Sequence, residues 1–169
     1  MNWKNNKRVG TEALTVAIFA LLYVLIGNAR SVHDNPFIPG AIVSVSVIVP
    51  VLAGILFGQR AGFLTGIFGT ALNYLSPAGS LFELLSIIPH GIMGFSAGFL
   101  KRRFSTPIAA LALVVGHILD TSVYIALNII PRDTVTNPQF WSGMAYETFI
   151  GVIGITLITS IYRLGFDKK

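Results

Sequence analysis

Stretches that carry almost no charge, each closed by a polar or turn-forming cluster, divide this chain into six segments: residues 13–27, 39–57, 61–75, 81–100, 106–130 and 138–163. The charges that do fall inside them are Glu83, Asp120 and Glu147, with Arg163 at the last boundary. A charged side chain at the centre of a bilayer costs on the order of several kcal/mol, and a membrane-spanning helix needs roughly 20 predominantly apolar residues. The pattern therefore predicts six helices solvated mainly by lipid.

The boundaries read chemically. Gly58-Gln59-Arg60 forms a tight turn between the second and third segments, and Ser76-Pro77-Ala78-Gly79-Ser80 carries turn punctuation before the fourth. Ser80-x-x-Glu83 fits a capping box, which gives Glu83 an ordinary local job. Lys101-Arg102-Arg103 ends the fourth helix. Thr106 as N-cap with Pro107 at the first helical position opens the fifth, and Asn137-Pro138 repeats that start signal for the sixth.

Composition narrows the class. Of 169 residues, 53% are hydrophobic and 11% charged, where a soluble domain carries roughly 25% charged residues. Six spans nearly exhaust the length, so residues 1–169 read as one transmembrane domain without room for a nucleotide-binding or soluble catalytic unit. Lys4, Lys7 and Arg8 precede the first apolar run, and without a small-residue cleavage site that run reads as a helix, not a removed signal peptide. The absence of cysteine excludes a disulfide framework, a thiol nucleophile and a cysteine metal site.

The net charge of +5 sits in clusters between apolar runs, which topology explains and nucleic-acid binding does not. Cytoplasmic loops are enriched in Lys and Arg. Placing both termini in the cytoplasm puts Lys4, Lys7, Arg8, Arg60, Lys101, Arg102, Arg103, Arg163, Lys168 and Lys169 inside and leaves Arg30 and Arg132 outside. The expected fold is an all-α membrane protein of the plasma membrane, a compact bundle of six transmembrane helices with both ends cytoplasmic. Its external loops are then residues 29–38, 76–80 and 131–137.

Several polar side chains lie where lipid would penalise them. His117, Asp120, Tyr124 and Asn128, spaced by three or four, form one polar stripe on the fifth helix. A ligand pocket and a self-satisfied His117–Asp120 pair are the two readings of that stripe. Glu147 lies too deep in the sixth helix to act as a cap and calls for a buried role. Trp141 and Tyr146 suit either a pocket or an interfacial belt. His90 follows Pro89 and either faces the pocket or donates to a carbonyl that the proline frees. Arg30, His33, Asp34 and Asn35 make the first loop either a lid or a solvated connector. His33, His90 and His117 come from distant segments without the spacing of a metal site, so no metal is expected. Ala13 and Ala17 share one face of the first helix, where small side chains let another helix approach. Gly62, Gly66, Gly69 and Asn73 make a similar smooth stripe on the third helix, read as packing inside the bundle.

The order of these features resembles the S components of energy-coupling-factor (ECF) vitamin transporters. The resemblance is carried by the basic N-terminus with Ala13-x-x-x-Ala17, by the run from Val51 to Gly62 through Gly58-Gln59-Arg60, and by Pro89-His90-Gly91-Ile92-Met93-Gly94-Phe95-Ser96-Ala97-Gly98 before a basic turn. It implies a six-helix bundle that binds a vitamin from outside, has no ATPase and no cofactor of its own, and is not an enzyme. It also implies that Ala13 and Ala17 dock on a transmembrane coupling subunit driven by two ATP-binding subunits, after which the bundle topples to release its cargo inside. In that family the pocket lies near the outer surface. Here it would draw on Asn73, Tyr74, His90, His117, Asp120, Tyr124, Asn128, Trp141, Tyr146 and Glu147, with Arg30 as a cation on the outer side.

Carboxylates, imidazoles, aromatics and amides together suit a neutral or cationic heterocycle stacked on a ring and hydrogen-bonded at its edge. A thiamine-like or pyrimidine compound is the expected substrate. Two rival readings use the same residues: an independent proton-coupled carrier, and an intramembrane enzyme with His117 and Asp120 as acid and base. Neither the nucleophile motif of the second nor the inverted halves of the first is present in the sequence.

Overall fold

A computed structural model describes residues 3–29, 34–38 and 43–166, with side chains described between Gly10 and Gly165 of those stretches. The helices are α1 (Trp3–Asn28), α2 (Ile48–Phe57), α3 (Gln59–Tyr74), α4 (Leu81–Arg103), α5 (Thr106–Ala110), α6 (Ala112–Ala126) and α7 (Pro138–Phe166). Short 3-10 turns, Val45–Val47 and Arg132–Thr136, lead into α2 and α7. All regular elements among the described residues are helical. Because α5 and α6 follow one another through Leu111 as a single apolar stretch, Thr106–Ala126, the seven helices make six rods, and the all-α bundle expected from the sequence is what forms.

Four stretches are long and apolar enough to cross a membrane: Gly10–Asn28, Leu81–Arg103, Thr106–Ala126 and Pro138–Gly165. The shorter α2 has eight of its ten residues buried, so protein rather than lipid surrounds it. Its Val51, Leu52 and Ile55 form the core with Met93 and Ala97 of α4, Ala109 of α5, Leu113 of α6 and Ile155 of α7. Lipid-facing positions are equally legible: Leu14, Ile18, Leu21 and Leu25 on α1, and Phe149, Ile153, Leu157 and Ile161 on α7, are exposed apolar stripes at helical spacing.

Glycine decides how closely the middle helices approach. A methyl group placed on Gly62 of α3 would run into the carbonyl of Gly94 of α4, one on Gly94 would strike Gly62, and one on Gly54 of α2 would also meet Gly94. Main chain touches main chain there, as small residues permit in membrane helices. Gly66 meets His90 in the same way, while Gly69 faces the Tyr23 ring of α1, so the stripe on α3 serves two neighbours. Gly58, at φ 102, provides the turn from α2 into α3, a backbone conformation that side chains resist.

Several boundaries differ from the sequence expectation. The second helix, expected from residue 39, begins at Ile48, because Val45–Val47 forms a 3-10 turn ahead of it, and the last helix runs on to Phe166. The first helix starts at Trp3, because its charged first turns extend the helix beyond the apolar run. The N-cap of α5 is Ser105, while Thr106 is already helical and its hydroxyl accepts from the Arg163 guanidinium. The fifth span ends at Ala126 rather than residue 130, because Asn128 adopts a left-handed φ of 53 and Ile129 N–H donates to the Tyr124 carbonyl at 2.8 Å, a helix-stopping motif.

The basic clusters gather at one end of the bundle. Lys101 Nζ donates to the Ile55 carbonyl at 2.5 Å, and Arg60 pairs with Glu12 at 3.1 Å, tying α4 to α2 and α3 to α1.

Candidate functional site

On α4, Glu83, Ser86 and His90 share one face at spacings of three and four; on α6, His117, Asp120 and Tyr124 do the same. The two faces meet. His90 Nε2 lies 3.4 Å from Asp120 Oδ2, Tyr124 OH reaches Asp120 Oδ1 at 3.5 Å, and Tyr124 OH also bonds Ser86 Oγ. The Phe82 ring stands edge-on to Tyr124, with centroids 5.0 Å apart.

His90 organises the cluster. Its Nδ1 is 2.9 Å from Tyr23 OH of α1 and 3.0 Å from Thr70 Oγ1 of α3, so one imidazole joins four helices. It does not turn back to the carbonyl freed by Pro89. Glu83 also departs from its expected job: Ser80 Oγ accepts from Glu83 N–H at 3.3 Å, as in a capping box, but the Glu83 carboxylate turns inward and lies 3.4 Å from Tyr23 OH. The His117–Asp120 pair considered from spacing is not a hydrogen bond, since Asp120 faces His90 and Tyr124 instead. His117 Nε2 is buried without a hydrogen-bond partner among the described residues.

A second set of contacts fastens the first loop to the start of α7. Asn35 Nδ2 donates to the Gly143 carbonyl at 3.1 Å, Phe37 meets the Tyr146 ring edge-on at 5.9 Å, and Ser44 N–H donates to Glu147 Oε1 at 2.9 Å. Gly143, Tyr146 and Glu147 lie on one helical face, so Asn35, Phe37 and Ser44 meet α7 along that face. Asn35 Oδ1 also accepts from Phe37 N–H and Ile38 N–H at 3.0 and 3.3 Å, which folds the loop locally.

The remaining sequence candidates are placed separately. Asn73 is buried and accepts from Asn28 Nδ2 at 3.2 Å beside Ser76, whereas neighbouring Tyr74 is exposed. Asn128 is exposed beyond the end of α6 and off the polar stripe. Trp141 is half exposed and donates from its indole to the Val135 carbonyl at 2.7 Å, which anchors the last loop. His117 and Trp141 both line a groove of ≈ 460 Å³ between α6 and α7. Arg30 and His33 lie outside the described residues. Among the described residues, no three His, Asp or Glu side chains gather as a metal ion would require.

Ala13 and Ala17 are exposed and line a groove of ≈ 520 Å³ between α1 and α3, with Leu64 and Phe68 on its other wall and Glu12 and Arg60 at one end. Val16 and Ala20, which are buried, line the same groove, and Tyr23, one turn further on, is buried too. Sequence reasoning missed Tyr23, Thr70 and Ser86. The available signal was the spacing of Val16, Ala20 and Tyr23, which marks an inward stripe with a hydroxyl at its end.

A family model described as "ECF-type riboflavin transporter, S component" matches residues 10–163. No curated protein and no solved structure matches the chain.

Proposed function

The chain belongs to the family of S components of ECF-type riboflavin transporters, and from that premise we propose that it captures a flavin-type vitamin at the outer side of the plasma membrane. Membership makes it a multi-pass membrane component of a vitamin-uptake system that works with ECF module partners. The family is one of transporter components and not of enzymes. The substrate reading moves accordingly from thiamine to flavin. A flavin retains the pyrimidine edge that the polar residues had suggested, with carbonyl acceptors flanking an N–H donor, and adds a flat apolar ring system and a polyhydroxyl tail.

The observation that carries this reading is the buried polar seam of α4 and α6, where Asp120, His90 and Tyr124 meet inside an apolar bundle. Polar groups in such surroundings mark ligand paths. Asp120 and Glu147 accept hydrogen bonds from an imide or hydroxyl group, and Tyr124 and Tyr146 offer ring faces to a planar heterocycle. The first loop, fastened along α7 by Asn35, Phe37 and Ser44, closes the pocket from outside. With both termini cytoplasmic, the end bearing Arg60 and Lys101 faces inward. The exposed Ala13 and Ala17 face of α1 then docks on a transmembrane coupling subunit whose two ATP-binding subunits drive release.

Purified protein titrated with riboflavin, followed by quenching of flavin fluorescence, tests the substrate. Saturable binding that excess thiamine does not reverse supports the flavin reading. Displacement by thiamine, or no flavin binding, overturns it.

A further inference from the structure

Tyr23 belongs to α1 and has no exposed surface, yet its hydroxyl reaches past its own helix to Glu83 and His90. It shares that helix with Ala13 and Ala17, which line the open groove together with Val16 and Ala20. One residue thus ties the groove face of α1 to the polar seam of α4 and α6.

Counting protons shows that the seam has two arrangements. With Nε2–H directed at the Asp120 carboxylate, His90 keeps one lone pair, on Nδ1. Two hydroxyls compete for it, Tyr23 OH at 2.9 Å and Thr70 Oγ1 at 3.0 Å. Tyr23 has a single proton and two acceptors, His90 Nδ1 and Glu83 Oε2, the latter at 3.4 Å. In the first arrangement Tyr23 donates to His90 and not to Glu83. In the second, Thr70 donates to His90 while Tyr23 donates to Glu83. Each leaves His90 and Tyr23 satisfied; the second adds a donor to Glu83 but over the longer distance, 3.4 Å against 2.9 Å to His90, so the balance is open to bias by whatever holds Asp120.

We propose that Tyr23 is a positioning residue that links occupancy of the pocket to docking of the α1 face. The inference rests on the reading given under Proposed function. A ligand that hydrogen-bonds Asp120 competes with His90 Nε2–H for the carboxylate. The imidazole is then released to turn or change tautomer, and the Tyr23 hydroxyl passes to Glu83. That transfer shifts the seating of α1 on α3 and α4, and with it the groove formed by Ala13, Ala17, Leu64 and Phe68. Coupling of this kind is reciprocal, so docking alters vitamin affinity by the same factor.

The test measures capture of the full-length protein on an immobilised coupling module, with and without saturating riboflavin, for the wild type and for Tyr23→Phe. The expected result is a wild-type ratio of the two affinities of about fivefold or more. In Tyr23→Phe the ratio falls to within about twofold of unity, while capture without flavin stays at the wild-type level. A merely structural Tyr23 would weaken both captures together and preserve the ratio. That outcome overturns the inference, as does a wild-type ratio of one. If Tyr23→Phe does not purify folded, Thr70→Val removes the competing donor to His90 Nδ1, bars the second arrangement and carries the same expectations. Failure of the wild type to bind riboflavin, or intact capture of Ala13→Trp, would instead bring down the functional reading and this inference with it.

Discussion

His90 Nε2 and Asp120 Oδ2 stand 3.4 Å apart across the α4–α6 seam, both nearly closed off from the surface. Removing one member of a buried pair leaves the other without its partner, which costs more than the pair itself contributes. Asp120→Ala is therefore expected to weaken flavin binding by at least roughly tenfold, about 1.4 kcal/mol. Glu147→Ala is expected to do the same, since it also frees Ser44 N–H and the loop held there. Fluorescence titration measures both. Unchanged affinity in the two variants places the pocket elsewhere.

Ala13→Trp and Ala17→Trp put an indole into the open groove between α1 and α3 at two exposed positions of α1. Co-purification with tagged coupling and ATP-binding subunits should be lost, and flavin affinity of the isolated protein should stay within about twofold of wild type, less than the roughly 0.4 kcal/mol that such a ratio represents. An intact complex from the double variant would contradict docking at this face.

Gly62→Ala and Gly94→Ala each force a methyl group against a facing main-chain carbonyl. Overpacking of this kind costs about 1–3 kcal/mol, seen as a lower Tm in detergent. Gly10→Ala, with nothing within 4 Å, is the control expected to leave Tm unchanged or slightly raised. Equal Tm values for all three would mean that the helices readily part at these glycines.

Asn35→Ala removes the donor to Gly143 and the acceptor that folds the first loop. A net hydrogen bond contributes about 1 kcal/mol, so release of flavin in stopped-flow mixing should quicken by about fivefold. No change in release rate would separate the loop from closure of the pocket.

The helices were legible because charge is so costly in lipid that its absence marks each span. The glycine stripe of α3 and the α6 stripe of His117, Asp120 and Tyr124 could likewise be read from spacing. What spacing could not choose was the partner across the bundle. On α6 alone, His117 is the imidazole nearest Asp120 in sequence, but α4 lies against that face and supplies His90 from thirty residues earlier. Glu83 shows the same limit, since its capping motif is local while the tyrosine that draws its carboxylate inward comes from α1. Asn128 was misjudged for a different reason: asparagine readily adopts the left-handed conformation that ends a helix, and the apolar run continues past that stop.

Where Gly54, Gly62 and Gly94 bring three backbones together, no rotamer stands between the helices to cushion a displacement. That core behaves as a keel, and any rearrangement during a transport cycle must be absorbed at seams filled by side chains, along α7 and the buried edge of α1. Amide hydrogens of α3 and α4 should accordingly exchange with solvent most slowly whether or not cargo is aboard, leaving the flanking helices to register the difference.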